Sequence, residues 1–106
     1  MVFIESSIFT KLIANYLDDM QYSELQKYLM DDPNIGVLIQ GTGGLRKIRW
    51  TLGNKGKRGG ARIIYFWKKP EEQIYLITIY AKNEIKDLSI KDKIMLKQII
   101  EKWHHD

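Results

Sequence analysis

Residues 2–5, VFIE, form a short apolar run that ends on Ser6 and Ser7, the pattern of a strand followed by helix-capping residues. Ile8, Phe9, Leu12, Ile13, Tyr16 and Leu17 then recur at i, i+1, i+4 and i+5, which predicts an amphipathic helix. A second helix is expected to open at Ser23, where Ser23 and Gln26 match a capping box. It should turn Leu25, Tyr28 and Leu29 inward and stop before Pro33. Three strand patterns follow. LRKIRW (45–50) alternates, placing Arg46, Ile48 and Trp50 on one face and Lys47 and Arg49 on the other. ARIIYFWKK (61–69) and QIYLITIYAK (73–82) are rich in β-branched and aromatic residues, and KKPEE between them predicts an antiparallel hairpin. The last helix opens near Asn83 and Ser89, where Ser89 and Asp92 form another capping pair, and it buries Leu96, Ile99, Ile100 and Trp103. The order is β-α-α-β-β-β-α, with helices segregated from a mostly antiparallel sheet, an α+β pattern.

No repeat or linker-like tract divides the 106 residues, so residues 1–106 read as one domain. Hydrophobic residues make up 44% of the chain and charged residues 28%, which fits a globular protein and excludes a disordered one. The absence of cysteine rules out disulfides and thiolate metal sites. MVFIESS has neither the basic leader nor the apolar run of a signal peptide, and no stretch approaches the roughly 20 apolar residues of a membrane helix. A soluble, cytoplasmic protein is expected.

Charge changes this picture. Residues 41–62, GTGGLRKIRWTLGNKGKRGGAR, hold seven of the eight glycines and seven Lys or Arg without a single acidic residue. The net charge is +4, so the rest of the chain sums to 4 − 7 = −3. One strongly basic segment on a mildly acidic protein points to a phosphate-rich partner. Arg46 occupies the place of the third glycine in G-x-G-x-x-G, and no P-loop can be aligned to GNKGKRGG, so nucleotide-fold motifs are excluded. A metal nuclease needs converging carboxylates or histidines, and residues 41–62 have none. Asp31 and Asp32 are expected to end a helix, and His104 and His105 to lie in a solvated tail. No metal or other cofactor is expected.

Lys47 and Arg49, two apart, project from one strand face, Arg62 opens the next strand, and Lys82 follows Tyr80 and Thr78 at strand spacing. Four cations and a phenol can thus converge at one sheet edge. Such a cluster suits RNA cleavage by the substrate's own 2′-hydroxyl, which needs a base, positive charge on the phosphate oxygens and an acid for the leaving 5′-oxygen. A lysine among other cations loses basicity and can act as base, while arginine stays charged and binds phosphate through a planar fork. Glycines 41, 43 and 44 allow a tight turn and close approach to nucleic acid. The glycines at 53–60, with Lys55, Lys57 and Arg58 among them, are expected to make a supple basic finger between two strands.

QGTGGLRKIR (40–49), GKRGGARIIYFW (56–67) and IYLITIYAKNEIKDLS (74–89) together resemble the RelE/ParE superfamily of bacterial toxins, most closely its HigB-type branch. The resemblance covers nearly the whole chain and implies a RelE-like fold. It implies a small toxin, monomeric when free, that a cognate HigA-like antitoxin neutralises. RelE-like members enter the A site of the 70S ribosome and cut messenger RNA there without metal. By this resemblance Lys47, Arg49, Arg62 and Lys82 are the catalytic set. Arg46, Lys55, Lys57, Arg58, Tyr80 and Asn83 are expected to contact messenger or ribosomal RNA, and Tyr80 reads equally as a phenol that substitutes for the missing tyrosine or as packing. Two family positions differ, since Asn83 stands in place of an arginine and Leu88 in place of a tyrosine. The same superfamily includes ParE-like inhibitors of DNA gyrase, and a non-catalytic RNA-binding module is a third reading.

Overall fold

The computed structural model describes residues 1–50, 60–81 and 88–105, with side chains through 102. Five strands form one sheet in the order β1-β5-β4-β3-β2. β1 (Val2–Glu5) runs parallel to β5 (Gln73–Ala81). β5 pairs antiparallel with β4 (Ala61–Lys68), β4 with β3 (Arg46–Trp50), and β3 with the two-residue β2 (Val37–Leu38). Helices α1 (Ser7–Leu12) and α2 (Asp19–Asp31) cover one face, and α3 (Ile90–His105) covers the other. The architecture is the expected α+β, mostly antiparallel one, with helices on both sides of the sheet.

Strand alternation divides the core in two. Ile48, Ile63, Tyr65, Ile74 and Leu76 meet Phe9, Leu17, Leu25 and Leu29 beneath α1 and α2. Leu45, Ile64, Tyr75, Ile77 and Tyr80 meet Leu96, Ile99 and Ile100 of α3. Each fully buried aliphatic or aromatic side chain contributes about 1.5–3 kcal/mol. Glu5 fastens the first core, accepting hydrogen bonds from Thr10 Oγ1 and Tyr22 Oη, both at 2.6 Å. Burial first, and then the bond to Glu5, hold the Tyr22 phenol far above its usual pKa.

Several elements depart from the expectation. α1 ends at Leu12 and passes into a 3-10 turn, Ile13–Asn15, and Ile8 faces solvent. α2 begins four residues before Ser23. The Asp18 carboxylate accepts from Gln21 N at 2.7 Å, and Gln21 Oε1 accepts from Asp18 N at 2.9 Å, so this upstream box sets the start. Tyr28 is 43% exposed, with its ring 5.3 Å from that of Trp50. β2 was not expected, because two residues give no periodicity. The α3 cap is as expected: Ser89 Oγ accepts from Asp92 N at 3.0 Å, and Asp92 Oδ2 accepts from Ser89 N at 3.2 Å.

β5 holds a further feature. Ile64 pairs with Thr78 but Tyr65 pairs with Leu76, so Ile77 is skipped and the strand bulges. Ser6 grips that point. Its Oγ donates to Ile77 O at 2.6 Å, its N–H donates to Leu76 O at 2.9 Å, and the same Oγ accepts from Phe9 N at 2.9 Å to cap α1. Ser6→Ala is therefore expected to destabilise the protein by about 2 kcal/mol, since it removes a helix cap and a donor to a buried carbonyl. Urea denaturation measures this, and a wild-type midpoint would show that the bulge needs no tether.

Candidate functional site

β3, β4 and β5 place their cations by register. Arg49 lies directly opposite Arg62, and Arg62 directly opposite Tyr80, so the three form one row across three strands on the α3 face. The neighbouring row is Lys47, Ile64 and Thr78. Arg62 is 6% exposed and Tyr80 5%, whereas Arg49 is exposed and Lys47 half-buried. Side chains directly opposite have Cβ atoms about 4.5–5.5 Å apart, and like charges so placed destabilise a sheet. Arg49 thus sets a second guanidinium beside Arg62, an arrangement that an anion can bridge.

Arg46 belongs elsewhere. It sits opposite Tyr65 on the other face of the sheet, and both reach over the chain that links α2 to β2. Arg46 Nη1 donates to Gly36 O at 2.8 Å and Asn34 O at 3.1 Å. Tyr65 Oη donates to Pro33 O at 2.7 Å and accepts from Gly36 N at 2.9 Å. A Cβ on Gly36 would lie 2.8 Å from Tyr65 Oη and Cε1, so the clamp requires glycine there. Burial raises the Tyr65 pKa, which keeps the phenol a donor.

The Gly41–Gly44 turn leads into β3. Gly41, Gly43 and Gly44 have φ of +80°, +77° and +120°, as the tight turn anticipated. Buried Thr42 fixes the turn, donating from Oγ1 to Ile39 O at 2.5 Å and accepting from Leu45 N at 3.2 Å. α3 then lies over the α3-side face with a cleft on each flank. One, of about 290 Å3, is lined by Val37, Leu38, Ile39, Lys47, Leu88 and Lys93. The other, of about 150 Å3, includes Thr78, Tyr80, Leu88 and Asp92. Leu88 borders both.

Solved structures share this architecture. They include a double mutant of E. coli toxin RelE in the free state, with 15% identity and a TM-score of 0.57, covering 80% of this chain and 86% of that one. The intact E. coli RelBE toxin–antitoxin complex matches with 15% identity and a TM-score of 0.54, over 76% of this chain and 94% of that one. A conserved hypothetical protein of Helicobacter pylori matches with 18% identity and a TM-score of 0.53, over 79% and 97%. The chain has the RelE fold. No family model matches the sequence.

On this RelE fold, Lys47, Arg49, Arg62 and Tyr80 share one face, and Arg46 is turned away from them. Lys82, Asn83, Lys55, Lys57 and Arg58 lie outside the described residues. Among the described residues, no group of three His, Cys, Asp or Glu could hold a metal ion, and no helix is long and apolar enough to cross a membrane. Lys93 escaped the sequence reading because that followed the apolar stripe of the last helix. Its signal was the i, i+4 spacing with Lys97 on another face. The two faces of β3 predict opposite behaviour. Arg46→Ala should cost about 1–3 kcal/mol of stability by freeing two carbonyls from a charged donor, while Lys47→Ala should stay within about 0.5 kcal/mol. Thermal or urea unfolding of the two variants checks this, and equal losses would mean that Arg46 carries no structural load.

Proposed function

We propose that this protein is the toxin of a toxin–antitoxin pair, of HigB type. It acts in the cytoplasm as a ribosome-dependent, metal-independent endoribonuclease on messenger RNA in the A site. The observation that carries this reading is the Arg49–Arg62–Tyr80 row with Lys47 beside it, a rigid array of cations suited to one phosphodiester. The RelE fold supports it, as does the E. coli RelBE toxin–antitoxin complex among the similar structures. A HigA-like antitoxin and the 70S ribosome are the partners, and the free toxin is a monomer.

The 2′-oxygen attacks the adjacent phosphorus, forming the P–O2′ bond as the P–O5′ bond breaks. The 2′-proton passes to a lysine, Lys47 or Lys82, and the 5′-oxygen leaves with a proton taken from the Tyr80 phenol or from water, the phenol being reprotonated from solvent. The products are a 2′,3′-cyclic phosphate and a free 5′-hydroxyl. Arg62, fixed in charge and held in the middle of the sheet, stabilises the extra negative charge on the phosphorane oxygens. Arg49 and Lys47 hold the scissile phosphate. Tyr80, opposite Arg62, is the phenol nearest in register to the reacting group and takes the place in this site that Leu88 leaves vacant. Lys55, Lys57 and Arg58 add affinity for ribosomal RNA that weakens as salt rises.

Cell-free translation of a reporter, followed by primer extension, tests the reading. Wild-type protein should produce ribosome-dependent cuts, and Arg62→Ala should reduce them about 10²–10³-fold with its circular dichroism unchanged. Wild-type cutting by that variant would displace the site. Intact message with poisoned DNA supercoiling would favour the gyrase-inhibitor reading, and intact message with normal supercoiling a plain RNA-binding module. EDTA should leave cutting intact when ribosomes are protected by excess magnesium. Loss of activity that zinc or manganese restores would overturn the mechanism.

A further inference from the structure

The cleft of about 290 Å3 between β2 and α3 has a composition that the catalytic row does not explain. Lys47 stands on the sheet side and Lys93 on the helix side, and among the described residues no carboxylate lines it. Neither ammonium forms an ion pair with a described residue. The edge strand supplies the remaining wall, where Val37 is 71% exposed and Leu38 55%. One turn along α3, the aliphatic stem of Lys97 passes 3.8 Å from the position a Cβ would take on Gly43. Lys93 and Lys97, four residues apart, thus follow the rim from the cleft to the glycine turn. The opposite flank of α3 differs, being mainly apolar and holding the Asp92 carboxylate.

We infer that this cleft is a nucleotide subsite for the RNA strand flanking the scissile phosphate, with Lys93 gripping the neighbouring phosphate, Lys47 standing between it and the scissile one, and Val37 and Leu38 contacting the base. The inference rests on the endoribonuclease reading and extends it to α3. Two facing cations with no described carboxylate in the lining favour a polyanion, and the volume lies near the lower end of the range for small-ligand pockets, about 300–1,000 Å3. A single-stranded unit fits that size. The Val37 and Leu38 side chains carry no hydrogen-bonding group, so these side chains do not discriminate among bases. The strand enters along the Lys93–Lys97 rim and passes Lys47 toward Arg49 and Arg62, on the same sheet face.

The probe is a fluorescein-labelled 2′-O-methyl hexaribonucleotide, which lacks the attacking hydroxyl, with binding read by anisotropy over a salt series. Lys93→Ala should weaken binding about fivefold to tenfold near 0.1 M salt and flatten the slope of log affinity against log salt by about 0.7. Lys93→Arg should restore both. The Val37→Ser/Leu38→Ser double variant should weaken binding with the slope unchanged, and Lys91→Ala, on exposed helix outside either cleft, should match wild type. If Lys93→Ala binds as wild type does while Arg62→Ala does not, the cleft is off the RNA path although the nuclease reading stands. If wild type neither binds the probe nor cuts message in translation, both fall. Loss of antitoxin affinity alone in the Lys93 and Val37/Leu38 variants would assign the cleft to a protein partner and overturn the inference.

Discussion

The bulge at Ile77 decides which residues can meet. Side chains alternate along a strand with a period of two, so Leu76 and Tyr80, both even-numbered, would share a face on a regular β5. They do not: Leu76 packs beneath α1 and α2, and Tyr80 beneath α3. The skipped residue reverses the parity, bringing Tyr80 opposite Arg62 and Thr78 opposite Ile64. Ser6 holds the irregular point from the first turn of the chain. A long-range contact, between residue 6 and residue 77, thus tethers the bulge that aligns Tyr80 with Arg62 and Arg49.

That row places charge where proteins avoid it. An arginine in the middle of a sheet, largely shielded from water and facing a second arginine, is unfavourable in isolation. Its position also removes the freedom that makes surface lysines poor catalytic groups. Strand pairing on both sides fixes the Arg62 backbone, and the core beneath Ile63 and Ile64 keeps it from shifting. Reduced solvent around the guanidinium strengthens its interaction with a phosphate. The two buried cores on either side of the sheet hold in place the strands that carry Arg62 and, as proposed, the phosphate it would meet.

Sequence alone revealed the features that depend on local periodicity. The alternation in 45–50 put Lys47 and Arg49 opposite Ile48 and Trp50, and the structure has them so. The Ser89–Asp92 pair opened α3 where expected. The start of α2 was misread because Asp18–Gln21 and Ser23–Gln26 both fit a capping pattern, and a helix begins at whichever competent cap comes first with apolar residues behind it. The bulge left no trace, since no glycine marks Ile77 and its anchor lies 71 residues away. Arg46 had a strand-face assignment but no visible partner, because the carbonyls it binds belong to a loop whose path only the fold defines.

The glycines deserve a different weight from the charges beside them. Gly41, Gly43, Gly44 and Gly60 all have positive φ, and a Cβ on Gly44 would lie 3.0 Å from the Phe66 ring. These positions require glycine for the turn into β3 and the entry to β4, whatever the protein binds. Glycine content in 41–62 therefore says little about nucleic acid by itself. The charges are not so explained. Lys47, Arg49 and Arg62 stand on strands where the fold would accept uncharged β-branched residues, and Arg62 stands where it would prefer one. The turn has a cause in its backbone conformation, so the case for a phosphate ligand rests on three strand positions and their register.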